Sequence, residues 1–191
     1  VTSDGGASVS ERGVVYSLSA NPAITDLSST IVRSGNGTGA FTCNLSNLQA
    51  GTTYYVRAYA INSKGTAYGD EISFTTALPI TLATVTTASI TQITETTAVA
   101  GGIVTSDGNA SVTERGVVYS TNPNPVITNL YNTIKPCGSG TGSFTCDLTN
   151  LQSNTTYYVR AYATNSVGTA YGEEVSFTTE VVANPPYLTA M

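Results

Sequence analysis

Three cysteines and twelve tyrosines carry most of the chemistry this sequence offers, for it contains no histidine and no tryptophan. Cys43 and Cys146 each end a Phe-Thr-Cys triplet. In an alternating strand both point inward, where a thiol packs as a small hydrophobe. Cys137 has no counterpart, and Ser34 stands at the matching position. Cys137 and Cys146 flank a Gly-rich loop. If that loop closes a hairpin, the two cysteines face each other, and they form the candidate disulfide. Such a bond needs Cα atoms within roughly 7 Å and an oxidising compartment. An odd number of cysteines leaves at least one free or paired between chains. A tetrahedral metal site lacks ligands here.

A second group is a stripe. Tyr158, Arg160 and Tyr162 alternate along one strand, and Tyr55, Arg57 and Tyr59 repeat them. Exposed Tyr and Arg are the residue types of binding hot spots, so the stripe is a candidate exposed contact surface for a protein or glycan. The competing reading lays Arg160 over the tyrosines and pairs it across strands with Glu114 or Glu174. Stripes present in every copy suit architecture better than recognition.

Other constellations fall away. A Ser-His-Asp or Cys-His nucleophile pair requires histidine. Glu173 and Glu174 are adjacent, so a strand sends them to opposite faces and they cannot act as a glycosidase pair. Asp4 and Asp107 each precede glycine, but one carboxylate per loop is too few for calcium, and Asp-Gly is a turn signal. The Gly-rich stretch 138–142 lacks the lysine and helix start of a phosphate loop. Matches to the N-glycosylation pattern at Asn36, Asn44 and Asn154 arise readily by chance in a chain this rich in Thr, Ser and Asn. The expectation is a non-enzyme with no cofactor.

These residues need strands to position them. In the stretch 151–168, Tyr157, Val159, Ala161 and Ala163 share one parity, while Tyr158, Arg160 and Tyr162 share the other. That pattern makes a strand with an apolar inner face and an amphipathic outer face. The turn at 165–168 leads to a second strand through Phe177, so each repeat is built on a β-hairpin. Residues 1–77 recur as 104–180 without a gap, with 54 identities in 77 positions. A period near 100 residues suits one sandwich plus a short linker.

The second copy reads in order as strands at 84–94, 96–105, 112–120 and 130–135, one through Phe144, Cys146 and Leu148, then the hairpin. Alternation and evenly spaced turns mark an all-β sandwich. Small residues at Ala98, Ala100 and Gly102 suggest close approach of a neighbouring strand or sheet. The expected organisation is a first module at 1–77 lacking its first two strands as shown, a linker at 78–83, a complete module at 84–180, and a linker or start of another domain at 181–191. Val1 lies inside the repeat pattern, so any leader segment falls outside the sequence.

Only 10% of residues are charged and the formal net charge is −5. That balance argues against nucleic acid, which asks for a basic face. No apolar run approaches the roughly 20 residues of a membrane span. Abundant Thr, Ser, Val and Tyr favour strands over helices.

Leu151-x-Ser153-x-Thr155-x-Tyr157 resembles the L-x-P-x-T-x-Y motif of fibronectin type III domains, matched in the first copy by Leu48, Thr52 and Tyr54. Ala163-x-Asn165-x-x-Gly168 resembles the A-x-N-x-x-G that follows it. Ser153 and Ala50 replace the motif proline, and the Trp that many members carry in their second strand is absent from 96–105. The resemblance implies tandem seven-stranded immunoglobulin-like sandwiches with structural tyrosine corners at Tyr54 and Tyr157. Longer phrases, such as Glu114-Arg-Gly-Val-Val-Tyr-Ser120, are similar to tandem repeats of Bacteroidetes-type bacterial surface and secreted proteins. That likeness implies an extracellular, cell-surface stalk, adhesin or filament. Its partners would be neighbouring repeats or copies of the same protein, and its first module is a candidate for β-strand complementation by a neighbour. The segment 181–191 is a candidate donor, weakened by its prolines. The alternative is a carbohydrate- or protein-binding accessory module, which predicts loops that differ between copies; they differ modestly at 18–20 against 121–123 and at 28–34 against 131–137.

Overall fold

A computed structural model describes residues 1–183. The chain divides into two compact units, Val1–Pro79 and the part from Ile80 onward. Twelve strands are present among the described residues, all paired antiparallel.

The second unit is a two-sheet sandwich. One sheet holds β5 (Thr84–Thr87), β6 (Ala98–Ser106) and β9 (Gly142–Leu148) in that order. The other runs β8 (Thr133–Pro136), β7 (Glu114–Ser120), β10 (Thr156–Thr164), with β11 (Thr169–Tyr171) and β12 (Val175–Thr178) sharing the far edge of β10. Counting that split edge as one gives the seven strands expected. Period-two alternation selects the core: Val117, Val159, Ala161 and Ala163 from one sheet meet Ala98, Ala100, Phe144, Cys146 and Leu148 from the other. Small side chains permit the close approach. A Cβ added at Gly101 would fall 2.2 Å from the Phe144 carbonyl oxygen, and one at Gly102 would fall 2.7 Å from the Ala161 Cβ.

Strand limits move slightly from the expected ones. Beyond β5 the segment expected to continue to residue 94 keeps only an isolated bridge, Thr91 to Val99. Residues 81–83, expected as linker, already belong to the second unit: the Thr81 N–H donates to the Gly108 carbonyl at 2.8 Å and Ala83 is buried.

The first unit carries one four-stranded sheet, β2 (Thr30–Arg33), β1 (Glu11–Ser17), β3 (Thr53–Asn62) and β4 (Gly65–Thr75). Residues 39–45 repeat the sequence of β9 yet form no strand. The cause is the ladder: β9 pairs with β6 over seven residue positions, and unit 1 as given has no equivalent of β6 beyond its last residues. Val1 does sit opposite Gly39, exchanging hydrogen bonds of 3.0 and 2.8 Å, in the register of Val104 opposite Gly142.

Candidate functional site

The Tyr-Arg-Tyr stripe is not the exposed strip that alternation suggests. Tyr162 is fully buried and Tyr59 is 2% exposed, while Tyr55, Arg57, Tyr158 and Arg160 are half-buried. The reason lies in the sheet register. Tyr59 sits opposite Gly13 and Tyr162 opposite Gly116, so the aromatic ring covers a neighbour without a side chain. An atom of the Tyr59 ring lies 3.1 Å from where a Gly13 Cβ would stand.

Tyr59, Tyr162, Arg57 and Arg160 each have a partner within their own unit. The Tyr162 hydroxyl donates to Glu114 Oε1 at 2.7 Å, and Tyr59 does the same to Glu11. Burial first, then that carboxylate, raise the Tyr162 phenol well above its usual range and push Tyr59 to about 12. The Tyr59 hydroxyl in turn holds the Glu11 carboxyl below its ordinary value. Arg160 lies over the Tyr171 ring at 4.8 Å and donates to the Gly172 carbonyl at 2.9 Å; it bonds neither Glu114 nor Glu174. Arg57 repeats this with Tyr68 and Gly69. Glu174 accepts instead from the Asn124 N–H, and the Tyr171 hydroxyl accepts from the Ile127 N–H, so the loop at 121–132 is tethered to the sheet. Of the stripe, Arg160 stacks on Tyr171, one of the two residues that hold that loop.

Tyr157 and Tyr54 each bond back to the backbone five residues upstream. The Tyr157 hydroxyl accepts from the Gln152 N–H at 2.9 Å, and Tyr54 accepts from Gln49 at the same distance. Cys137 and Cys146 are bonded, with Cα atoms 5.9 Å apart. They do not face each other across a hairpin. Cys137 follows β8 at the edge of one sheet and Cys146 lies in β9 at the edge of the other, so the bond staples the two sheets along one edge. Cys43 is free and half-buried, its thiol 3.5 Å from the Val32 carbonyl.

Two arginines were missed by the sequence reading. Arg115 Nη1 donates to the carbonyls of Gly140, Thr141 and Gly142 at 3.2, 2.7 and 3.1 Å, with its guanidinium 5.2 Å over the Phe144 ring. Arg12 holds Gly37, Thr38 and Gly39 in the same way. The glycines therefore present carbonyls to a cation, the reverse of a phosphate cradle. The recurrence of Glu-Arg-Gly before a Gly-rich loop in both copies was the available signal. Asp4 and Asp107 each accept a backbone N–H two residues on, as turn residues do. Among the described residues no three His, Cys, Asp or Glu side chains could hold a metal ion, and no helix is long and apolar enough to cross a membrane.

What remains open is the inner face of unit 1. Ala58 is exposed where its equivalent Ala161 is sealed, and Phe74 is 37% exposed where Phe177 is 7%. Ile72 is 66% exposed. A groove of about 540 Å3 runs along this face, bounded by Asp4, Gly5, Phe41, the Ala58–Ala60 part of β3, Asn62, and the Gly65–Gly69 part of β4. In unit 2 the segment 81–87 fills the corresponding space. There the Asn165 amide donates to the Thr81 carbonyl at 2.7 Å, the Thr87 hydroxyl accepts from the Ala161 N–H at 3.0 Å, and the Thr87 nitrogen lies 2.5 Å from where a Gly172 Cβ would stand.

No protein-family model matches the sequence, and no curated protein matches it either. Among solved structures, the chicken CNTN1 FN1-FN3 domains are similar at 17% identity and a TM-score of 0.40, covering 90% of this chain and 56% of that one. The sensor domain of the anti-sigma factor RsgI4 of Pseudobacteroides cellulosolvens is similar at 18% identity and 0.41, over 55% of this chain and 100% of its own. A computer-redesigned β-sandwich protein is similar at 24% identity and 0.40, again over 55% and 100%. The all-β assignment rests on the sheets themselves.

Proposed function

We propose that this chain is a non-catalytic structural repeat of an extracellular stalk, adhesin or filament, and that its first unit is an acceptor for a β-strand from a neighbouring repeat or copy. The observation that carries this is the open inner face of unit 1 beside the filled one of unit 2. The two units share residue types along that face, so the groove of about 540 Å3 has a strand-shaped precedent in the same chain. An exposed apolar sheet face is a docking surface or an aggregation hazard, and strand addition covers it with main-chain hydrogen bonds. The internal use of the polar groups, together with an inter-sheet disulfide compatible with an oxidising compartment, supports a load-bearing role at the cell surface. The segment 181–191, a candidate donor, lies outside the described residues from 184 onward.

Light scattering of the whole chain at rising concentration tests the assembly. Growth in mass with concentration is expected; a monomer throughout overturns assembly between copies.

One observation favours the second reading, a protein- or glycan-binding accessory module. Leu130 and Tyr131 are 97% and 91% exposed at the tip of the tethered loop. An exposed apolar tip on a loop tethered at its base suits contact with a ligand.

A further inference from the structure

This inference rests on the accessory-module reading and concerns one loop of unit 2. The loop 121–132 and its counterpart 18–29 are held alike. Glu174 accepts from the Asn124 N–H and the Tyr171 hydroxyl from the Ile127 N–H; Glu71 and Tyr68 do the same for Asn21 and Ile24. Pro125 and Pro22 are fully buried in both loops. Asn129 Oδ1 accepts the Tyr131 N–H at 3.0 Å, as Asp26 Oδ1 accepts that of Ser28 at 2.9 Å.

The tips then differ. Asp26, Ser28 and Ser29 of unit 1 stand as Asn129, Tyr131 and Asn132 in unit 2. A carboxylate becomes a carboxamide and a serine becomes an aromatic ring. The Asn132 amide adds a bond to the Val126 carbonyl at 2.9 Å, whereas the Ser29 hydroxyl is buried without a partner. Unit 1 builds the same loop with serine at the tip, so the fold does not call for Tyr131. That residue is 91% exposed, beside Leu130 at 97%. Its hydroxyl and the Asn129 NH2 group have no partner among the described residues.

Size and charge select the ligand. An exposed tyrosine offers about 200 Å2, while a stable protein interface takes about 800 Å2 from each partner. The tip is too small to hold a folded protein and is matched in size to a sugar ring. A lipid surface asks for a long apolar face or a basic cluster, and the net charge here is −5.

We propose that Tyr131 is the stacking platform of a glycan site on unit 2, with Leu130 beside it and the Asn129 amide donating to sugar hydroxyls. The C–H groups on one face of a pyranose carry a slight positive charge and lie against the negative face of the ring. Replacing Asp26 by Asn129 supplies the donor that a carboxylate lacks. One ring and one amide make a weak site, so a polysaccharide, which offers many rings at once, is the right probe.

The test is native electrophoresis of the whole chain through gels carrying a soluble β-glucan, a xylan, a mannan or a pectin. Retardation in at least one gel is expected. Tyr131→Ala should remove it without moving the melting curve, since that side chain packs on nothing in the loop. Tyr131→Phe should keep most of it, because the ring face is retained. Leu27→Ala, at the tip that lacks an aromatic, should leave it unchanged. Retardation that ignores Tyr131→Ala, or that Leu27→Ala removes equally, overturns this site while a glycan-binding module stands. No retardation in any gel overturns the glycan and leaves only the protein-binding form of that reading. A fall in the mass seen by light scattering on Tyr131→Ala would make the tip a contact between copies and overturn the proposal.

Discussion

Tyr162 and Glu114 are joined by a 2.7 Å hydrogen bond at the end of a fully buried ring, and Tyr59 and Glu11 repeat the pair in the first unit. In each case a phenol shielded from water faces a carboxylate, so ionising the phenol would set two negative charges side by side. Spectrophotometric titration of the twelve tyrosines should show three that resist ionisation: Tyr119, raised by burial, Tyr59 with a midpoint near 12, and Tyr162 later. A folded pKa above the ordinary 10 contributes stability that is fully present below pH 10 and is lost as pH rises through the folded value. For Glu11 the folded pKa is lowered, so its contribution is present at neutral pH and lost as pH falls through that lowered value. Tyr162→Phe should remove the last-titrating phenol and cost about 1 kcal/mol.

The inter-sheet disulfide should matter to unit 2 alone. Cys137→Ser, or reduction, should lower its stability by about 2–3 kcal/mol, as expected for a loop this short. Thermal melts with and without reductant check this. Conversely, Ser34→Cys places a thiol at the unit 1 equivalent of Cys137. Titration of free thiols should then fall from one per chain to none as it pairs with Cys43.

Tyr157→Phe removes the acceptor of the Gln152 N–H at the strand corner. A loss of about 1–3 kcal/mol is expected in a denaturant titration, because the N–H is left without its partner. Tyr54→Phe should act alike in unit 1 through Gln49.

Hydrogen exchange should separate two segments of nearly identical sequence. Amides of β9 around Cys146 are paired with β6 within their sheet and should exchange slowly. Those around Cys43, which form no strand, should exchange far faster, and should slow when the groove is filled.

The hairpin, the inward parity of Tyr157 through Ala163 and the repeat were legible because each depends on alternation or on self-similarity, which lie in the linear order. The burial of Tyr162 was not, because it depends on which residue of β7 stands opposite, and a glycine there is a fact of register. The disulfide pair was legible from spacing, but not its placement between sheets: a Gly-rich loop can as easily carry the chain across a sandwich as fold it into a hairpin. The Arg115 clamp was overlooked for a related reason, since the carbonyls it binds lie some 25 residues downstream. The partners chosen by Glu114 and Glu174 likewise turned on loop tethering rather than on cross-strand charge.

The staple between Cys137 and Cys146 also sets a length. Pulled from its ends, a protein lengthens by the chain it releases, and the nine-residue separation closed by this bond cannot be released. Unit 2 should therefore extend by roughly 25 Å less than its reduced form, at about 3.5 Å per residue. Unit 1, with serine at the matching place, has no such stop. Two modules of nearly the same sequence would thus yield to force by different distances, and the difference would follow the redox state of the surroundings.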